Sequence, residues 1–346
     1  MKAGETMATM RDVALLAGVS TATVSHVING SKKISPETTE RVLQAISQVN
    51  YKPNTLAKSL RLGQTHTIGV LVEDIRGLPV ADIVSGISET LAKGGYKTIL
   101  YDLHLLEKLY NQYEQIGIYR QRINEGLSLL QASDVDGIIY VAMHDRHLDY
   151  LFDPMDTPLV FAYSHGTQAD TYVTYSNRDS AADMIRFLLG KGHKSIAVIA
   201  GHPHSYPTAQ RLLGIQMAMQ QVGLTIPQEY IRYGDWEYDS GMEQAQELLK
   251  FPSLPTAVFA MNDLMAAGCM SALKSAGLRI PEDIAVVGFD NREIARYLQP
   301  PLTTVSLPTA EIGTRAALHI IDMINNPCTR PVREIIHCSI IERDSV

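Results

Sequence analysis

The chain has 346 residues, of which 45% are hydrophobic and 19% charged, with 24 glycines and 16 prolines. This composition excludes a disordered, collagen-like or coiled-coil protein, and the length is sufficient for two or three domains. The net charge of −7 at pH 7 argues against nucleic acid as a partner only if the charge is spread evenly along the chain.

The charge is divided unevenly between a short first part and a long second part. Residues 1–66 carry eight Lys/Arg against four Asp/Glu, a net charge of +4, whereas residues 67–346 carry 22 against 33, a net charge of −11. This asymmetry predicts a small basic module attached to an acidic body. No apolar run is long enough to span a bilayer, and residues 1–11 lack the pattern of a signal peptide, so we expect a cytoplasmic protein without a membrane partner.

The first 50 residues predict three short helices. The first covers Met10–Ala17, a break follows at Gly18-Val19-Ser20, and the second covers Thr21–Ile28 with Ser20 as its cap. Ser35-Pro36-Glu37 is a strong start signal for the third helix. Two helices separated by a tight turn, with a third packed behind them, form a helix-turn-helix. Its second helix would present small, hydrogen-bonding side chains to a DNA groove: Thr21, Ala22, Thr23, Ser25 and His26.

A segment that is compatible with a helix follows this module. After Pro53, Asn54 is a possible cap, Leu56 and Leu60 stand four residues apart, and Gly63 is a stop signal. The segment is too short to form a stable helix alone. We therefore expect it to fold only when it is docked on something else.

From Ile68 onward, strand-like apolar runs alternate with helical stretches. The runs are Ile68–Val72, Thr98–Tyr101, Gly137–Ala142, Leu159–Tyr163, Ile196–Ala200, Ala257–Ala260 and Ile284–Phe289. The helical stretches are Ala81–Lys93, Ser180–Leu189, Arg211–Val222, Ser240–Leu249 and Leu264–Ala276. Strands that are apolar throughout are typical of parallel sheets covered by helices on both faces. About 270 residues of this alternation predict an α/β body with two sheets rather than one.

Several segments together resemble the LacI–GalR family of repressors. They are residues 8–30 (ATMRDVALLAGVSTATVSHVING), 51–60 (YKPNTLAKSL), 135–139 (VDGII), 260–266 (AMNDLMA), 280–290 (IPEDIAVVGFD) and 301–304 (PLTT). They stand in the family's order and cover nearly the whole chain. Residues 24–29 and 234–241 are most similar to the purine-repressor branch, which does not establish the ligand.

The resemblance implies a division of the chain. Residues 1–52 would form the helix-turn-helix domain, 53–66 a hinge helix or linker, and 67–346 an effector-binding and dimerisation body like a periplasmic binding protein. That body would consist of two Rossmann-like lobes joined by three crossovers. The first lobe is expected at residues 67–172 and 307–329, and the second at 173–306 and 330–346.

The resemblance also implies how DNA is bound. A homodimer would read a palindromic operator, with one recognition helix in each major groove. The paired hinge helices would enter the minor groove and insert Leu60 into the central base step. Spacing alone explains Leu60 equally well as a core leucine, and the resemblance favours the wedge. The candidate DNA-contacting residues are Thr21, Ala22, Thr23, Ser25, His26, Asn29, Lys32, Asn54, Ala57, Lys58, Leu60 and Arg61.

A small-molecule effector would bind beyond the carboxyl ends of the strands. Asn262 and Asp290 follow predicted strands, and Arg211 opens a predicted helix, so an amide, a carboxylate and a guanidinium suited to sugar hydroxyls are expected there. Trp236, the only tryptophan, matches a family position that stacks on the ligand, although a core aromatic is the alternative. Asn262 is equally explained as a helix cap. Tyr163 stands where sugar-responsive relatives commonly carry an acid.

Departures from the family pattern bear on specificity. The residues at several pocket positions depart from the family pattern and weaken the inference that this chain binds a purine; they are Ser176-Asn177, Ser205 and Pro207. The connection from Asp102 to Val135 is longer than in most relatives by about a dozen residues, where such links are usually short. This connection contains Tyr110, Tyr113 and Tyr119 and could cover the cleft or extend a dimer surface, but a surface helix is the favoured interpretation.

Enzymatic and metal-binding functions find little support in the sequence. Both nucleotide-binding signatures fail, and the histidine pairs His144/His147 and His202/His204 lack a nearby third ligand, so neither a cofactor nor a metal is predicted. We predict a transcriptional repressor controlled by a sugar or sugar derivative; a purine-type repressor that needs a corepressor is the alternative. A solute-binding protein is disfavoured by the absent signal peptide and the basic module, and an α/β enzyme with a DNA-binding module ranks third.

Overall fold

The computed structural model describes residues 8–29, 32–51, 64–148 and 150–346. The chain divides into two compact units, residues 1–65 and 66–346. Each unit has its own hydrophobic core.

The described part of the first unit contains three helices: α1 (Met10–Ala17), α2 (Thr21–Asn29) and α3 (Pro36–Gln48). Gly18 takes the left-handed conformation (φ 63°) that ends α1. The Ser20 hydroxyl accepts a hydrogen bond from the Thr23 amide at 3.1 Å, which confirms Ser20 as the cap of α2. Val13, Val24 and Val42, one from each helix, are fully buried together in the core.

The second unit begins with a lobe built on a parallel sheet, the first lobe. Its strands in the described ranges are β1 (Thr67–Val72), β2 (Lys97–Asp102), β3 (Gly137–Val141), β4 (Leu159–Ala162), β5 (Thr171–Tyr175) and, from late in the chain, β11 (Arg333–Ile336). Their spatial order is β11-β5-β4-β3-β1-β2. The helices of this lobe are α4 (Val80–Lys93), α5 (Leu106–Leu109), α6 (Arg120–Gln131) and α12 (Thr309–Asn325), and a 3₁₀ helix covers Tyr113–Tyr119.

The second lobe has the same plan. Its described strands are β6 (Ile196–Ala200), β7 (Ile231–Tyr233), β8 (Ala257–Ala260), β9 (Ala285–Asp290), β10 (Thr303–Ser306) and β12 (Ser339–Ile341), in the order β12-β10-β9-β8-β6-β7. β12 alone among them is antiparallel to its neighbour. The helices are α7 (Asn177–Gly190), α8 (Tyr206–Gln221), α9 (Tyr238–Leu248), α10 (Asp263–Ser275) and α11 (Ile294–Tyr297), with a 3₁₀ turn at Gln228–Tyr230. None of the helices in the described ranges has the length and hydrophobicity to cross a membrane.

The described chain passes between the two lobes after β5, after β10 and between β11 and β12. These places differ in part from the predicted boundaries after residues 172, 306 and 329. Thr171–Tyr175 and Arg333–Ile336 both belong to the first sheet, where Tyr172 pairs with Arg333. Threonine, valine and tyrosine favour strands, but their mixed polarity hides β5 from a search for apolar runs.

Strand β2 corrects a second expectation. The run Thr98–Tyr101 was expected to be buried on both faces, but β2 lies at the edge of the sheet and pairs with β1 alone among the described strands. Ile99 and Leu100 are 37% and 41% exposed. An apolar run therefore indicates a strand here without distinguishing an edge strand from an interior one.

Candidate functional site

A cavity of about 820 Å³ lies between the two lobes of the second unit and is lined from both. Its lining includes all five residues predicted to bind an effector: Tyr163, Arg211, Trp236, Asn262 and Asp290. Four of them come from the ends of parallel strands, where ligands of open α/β sheets bind: Tyr163 follows β4, Trp236 lies beyond β7, Asn262 lies beyond β8, and Asp290 ends β9.

The backbone at this cavity is held in unusual conformations. Tyr163, Trp236 and Asp290 have φ angles of 63°, 78° and 117°, in a region that non-glycine residues rarely adopt. Such conformations cost free energy and persist where the surrounding structure fixes them, most often at binding and catalytic sites. The backbone strain is therefore a second feature, besides the side chains, that makes this cavity the candidate site.

Arg211 does not stand where the sequence suggested. The helix that carries it begins at Tyr206, so Arg211 lies inside α8 rather than at its start. Its guanidinium is buried, donates from Nε to Asn177 Oδ1 at 2.8 Å and from Nη2 to the Tyr175 hydroxyl at 3.0 Å, and also donates to the Met261 carbonyl. It stacks 3.6 Å from the centre of the Phe289 ring. Arg211 thus organises the wall of the cavity in addition to lining it.

Trp236 lines the cavity and packs directly on a glycine. A Cβ atom at Gly201 would lie 2.0 Å from an atom of the indole ring, so only glycine fits beneath it. The side chain is 7% exposed, and its Nε1 atom has no hydrogen-bond partner among the described residues. A buried N–H group of this kind has a high free-energy cost unless a ligand or water accepts its hydrogen bond.

The side chain of Asn262 is used by the protein itself. Its Oδ1 accepts a hydrogen bond from the Met265 amide at 2.8 Å and caps α10, while its Nδ2 donates to the Trp236 carbonyl at 2.7 Å. The cap that was considered as the alternative is therefore present. The second contact gives it a further role, because it fixes the strained backbone of Trp236.

Asp290 is a largely buried carboxyl group at the end of β9, with 16% of its side chain exposed. Burial raises its pKa, although the Arg292 guanidinium, with Nε 3.2 Å from Oδ2, opposes that shift. Tyr163 lies on the opposite side, in the first lobe, and donates from its hydroxyl to Tyr175 at 3.4 Å. Because Tyr175 also accepts from Arg211, hydroxyls from the first lobe and a guanidinium from the second meet at one wall.

Several other residues of the lining were not among the predicted effector-binding residues. Arg76, Tyr113, His144 and Arg292 all line the cavity. The aromatic content of the long connection was a signal for Tyr113, and His144 was considered only as half of a metal-binding pair. Burial lowers the pKa of His144 well below its usual value, helped by the nearby Arg146 and Arg211.

The described residues offer little to a metal ion. Among the described residues, the group that brings three potential metal-ligand atoms within 4.8 Å of one another is Asp74, Asp102 and His104. The Asp74 oxygens already accept from the Arg76 side chain and the Leu106 amide, and those of Asp102 from backbone amides. Neither of the histidine pairs considered in the sequence, His144/His147 and His202/His204, belongs to such a group.

The first unit carries the second candidate site, on α2. Thr21 and Ala22 are exposed, and Thr23, Ser25 and His26 are half-buried, while Val24 points into the core. The Thr23 hydroxyl lies 2.9 Å from that of Ser20. Lys32 is exposed. The side chain of Asn29 and the predicted hinge residues Asn54, Ala57, Lys58, Leu60 and Arg61 lie outside the described residues.

Comparison with known proteins finds two family matches. Residues 9–54 match bacterial regulatory proteins of the lacI family, and residues 185–346 match a periplasmic binding protein-like domain. The ribose operon repressor of Escherichia coli (strain K12) is 36% identical over 342 residues, which cover 98% of this chain and 100% of that protein. The HTH-type transcriptional repressor PurR of Vibrio cholerae serotype O1 (strain M66-2) is 34% identical over 344 residues, 98% of each chain.

Solved structures give the same assignment. A complex of the transcriptional regulator CelR with cellobiose is 31% identical, with a TM-score of 0.66 over 98% of this chain and 100% of that one. The lac repressor dimer bound to operator and the anti-inducer ONPF is 26% identical, with a TM-score of 0.78 over 98% and 99% of the two chains.

Proposed function

The chain belongs to the LacI family of bacterial regulatory proteins, and we propose that it is a repressor whose operator affinity is set by a small sugar-like effector in the cavity between its lobes. The observation that carries the proposal is the meeting of Tyr163, Arg211, Trp236, Asn262 and Asp290 at one cavity. A separate basic unit with a helix-turn-helix supplies the DNA-binding part.

The cavity suits a polyhydroxylated ligand. Its volume of about 820 Å³ is within the usual range for small-molecule sites. The Asp290 carboxyl supplies an acceptor for hydroxyl groups, and the indole of Trp236 supplies an aromatic surface for the apolar face of a ring. Relatives named for ribose and solved with cellobiose support this chemistry.

On the DNA side, we propose that a homodimer places each α2 helix in a major groove of a palindromic operator. Thr21, Ala22, Thr23, Ser25 and His26 would face the bases or adjacent phosphates. Asn29, Lys32, Asn54, Ala57, Lys58 and Arg61 would support this contact, with Leu60 as the minor-groove wedge; apart from Lys32, these assignments rest on sequence similarity alone. Asn54 to Arg61 would fold as hinge helices only on DNA.

Control of DNA binding requires an effector that discriminates between lobe arrangements. A ligand that binds both arrangements equally shifts no equilibrium, however tightly it binds. Because the cavity is lined from both lobes, a ligand that bridges them favours one arrangement. The relatives are repressors rather than enzymes. We therefore propose neither catalysis nor a metal for this chain. We also propose that it is located in the cytoplasm.

A thermal-shift screen with ribose, cellobiose and hypoxanthine tests the ligand class. A ligand at 100 times its Kd raises the free energy of unfolding by about 2.7 kcal/mol, which gives a clear rise in Tm. Asp290→Asn should weaken effector binding by about 1–3 kcal/mol because a charge-assisted acceptor is lost. The exposed Asp239, on the same lobe, provides the matched control Asp239→Asn.

Operator binding then decides whether the effector releases the repressor from DNA or acts as a corepressor. Fluorescence anisotropy with an operator selected from random DNA should show release on adding the sugar. If hypoxanthine instead strengthens operator binding, the protein is the corepressor-dependent type that its similarity to PurR allows. If Asp290→Asn binds the active compound as wild type does, the cavity is not the effector site.

A further inference from the structure

The segment between β2 and α6, residues 103–119, brings two side chains to the cleft. Tyr113 lines the cavity, and Glu114 contacts the second lobe. We propose that this segment is a clasp, in which Tyr113 closes one end of the effector cavity and limits the size of the effector, while Glu114 fixes the segment to the second lobe. The size limit rests on the proposed function, but the closure does not.

Tyr113 belongs to a row of three aromatic rings. Its ring stacks on His144 with the centroids 4.5 Å apart and the planes at 18°. His144 in turn meets the edge of Trp236 at 5.4 Å and 66°. The row therefore leads from the first-lobe segment to the indole of the second lobe, and Tyr113 is the ring at its first-lobe end.

Two polar contacts cross the cleft at this row, one made by His144 and one by the neighbour of Tyr113 in the chain. His144 Nε2 lies 2.9 Å from the Ser205 hydroxyl, which comes from the loop before α8. Glu114 Oε1 lies 2.7 Å from His202 Nδ1, in the loop after β6. Both contacts join the first lobe to the same second-lobe loop, so a separation of the lobes at this end breaks both.

The segment is anchored and does not depend on the cleft for its own conformation. Ile116 is fully buried in the core of the first lobe. The Tyr119 hydroxyl donates to the Lys108 carbonyl at 3.2 Å and closes the segment on itself. Tyr113 and Glu114 are therefore presented from a fixed base, as a positioning role requires.

Quenching of Trp236 fluorescence by acrylamide tests closure without any effector. Trp236 is the only tryptophan, and it is 7% exposed. Tyr113→Ala should raise the quenching constant at least twofold because acrylamide then reaches the indole. Tyr110→Ala is the matched control, since Tyr110 is in the same segment but 65% exposed and outside the cavity lining.

The Glu114 contact is tested by a double-mutant cycle with the same readout. Glu114→Ala and His202→Ala should each raise quenching, and the double variant should add little to either one, because both changes break the same contact. Circular dichroism verifies that each variant is folded. If folded Tyr113→Ala, Glu114→Ala and His202→Ala are all quenched as wild type is, the clasp is refuted.

Sugars of increasing size test whether Tyr113 limits the size of the effector. Binding of ribose, cellobiose and cellotriose is measured by calorimetric titration. In Tyr113→Ala, the affinity for the sugar one size larger than the one that wild type prefers should rise at least tenfold relative to the affinity for the preferred sugar. In Tyr110→Ala, this ratio of affinities should be unchanged. An unchanged ratio in Tyr113→Ala overturns the size limit. If no sugar binds any of the proteins, the sugar class in the proposed function and the size limit both fail, while the quenching result still decides whether the clasp closes the cavity.

Discussion

Asp263 and Asp290 show how single residues set the chemistry of the second lobe. Asp263 is fully buried, accepts from the Thr304 hydroxyl at 2.5 Å and from the Arg292 amide at 2.6 Å, and has its pKa raised to about 7 by burial and by the nearby Asp290. Its hydrogen bonds favour the ionised form but do not outweigh these two effects. A buried carboxyl group whose pKa is near neutrality makes the free energy of unfolding depend on pH.

The sign of that dependence follows from proton binding. The folded state binds a proton at Asp263 up to about pH 7, whereas the unfolded chain releases it near pH 4, so the free energy of unfolding should fall as pH rises between these values. One such group gives a slope of at most about 1.4 kcal/mol per pH unit. Asp263→Asn should reduce this slope in urea unfolding from pH 4.5 to 7.5, with Asp239→Asn as the control. Parallel curves for wild type and Asp263→Asn would contradict the assignment.

At this scale the sequence could predict which residues line the cavity but not what their polar atoms do. Asn262 and Arg211 were found by motif, yet their hydrogen bonds are made largely within the protein. The cap contact of Asn262 with Met265 is local and was considered from the sequence. The other partners come from distant parts of the chain, such as Asn177 for Arg211, and no local pattern indicates them. Tyr113 was named only as part of an aromatic-rich connection for which a surface helix was favoured over a cover of the cleft, because an inserted segment has no motif that would distinguish the two.

Elements were predictable where local signals are strong. Ser20 and Ser35 cap α2 and α3 as expected, and the helices of the first unit follow from these caps and their apolar faces. Close helix packing was not predictable. Gly86 of α4 and Gly313 of α12 lie against each other's helix, and a Cβ there would come within 2.2 Å and 2.0 Å of backbone oxygens. Only the assembled fold shows why these two positions need glycine.

The helix α2 carries a prediction of its own. His26→Ala should relax the base preference at one position of each half-site by about 1–3 kcal/mol, because a lost side-chain contact to a base edge affects sequence readout. The salt dependence should stay nearly the same, since phosphate contacts dominate it. Gln44→Ala, at an exposed position of α3, is the control. Binding measured on operator variants at two salt concentrations decides, and an unchanged base preference in His26→Ala would remove this residue from the readout.

The whole molecule separates recognition of DNA from recognition of the effector. Two units with independent cores place the positive charge and the helix-turn-helix in one and the cavity in the other. The charge difference along the sequence predicted this separation, because it is a property of whole segments. The crossovers between lobes were harder to predict, since β5 and β11 are short strands of mixed polarity.

A fragment that starts at His66 tests this separation. It keeps the hydrogen bonds of the His66 backbone with Asp136 and Lys97, at 2.7 and 2.8 Å, so the residue that precedes β1 stays secured. We expect residues 66–346 to unfold cooperatively and to bind the effector with the Kd of the full chain. Specific operator binding should be lost, because the fragment lacks α2 and its net charge of −11 repels the phosphates. Calorimetry and anisotropy on both proteins measure the two activities, and a fragment that still selects the operator over random DNA would show that the second unit reads sequence as well.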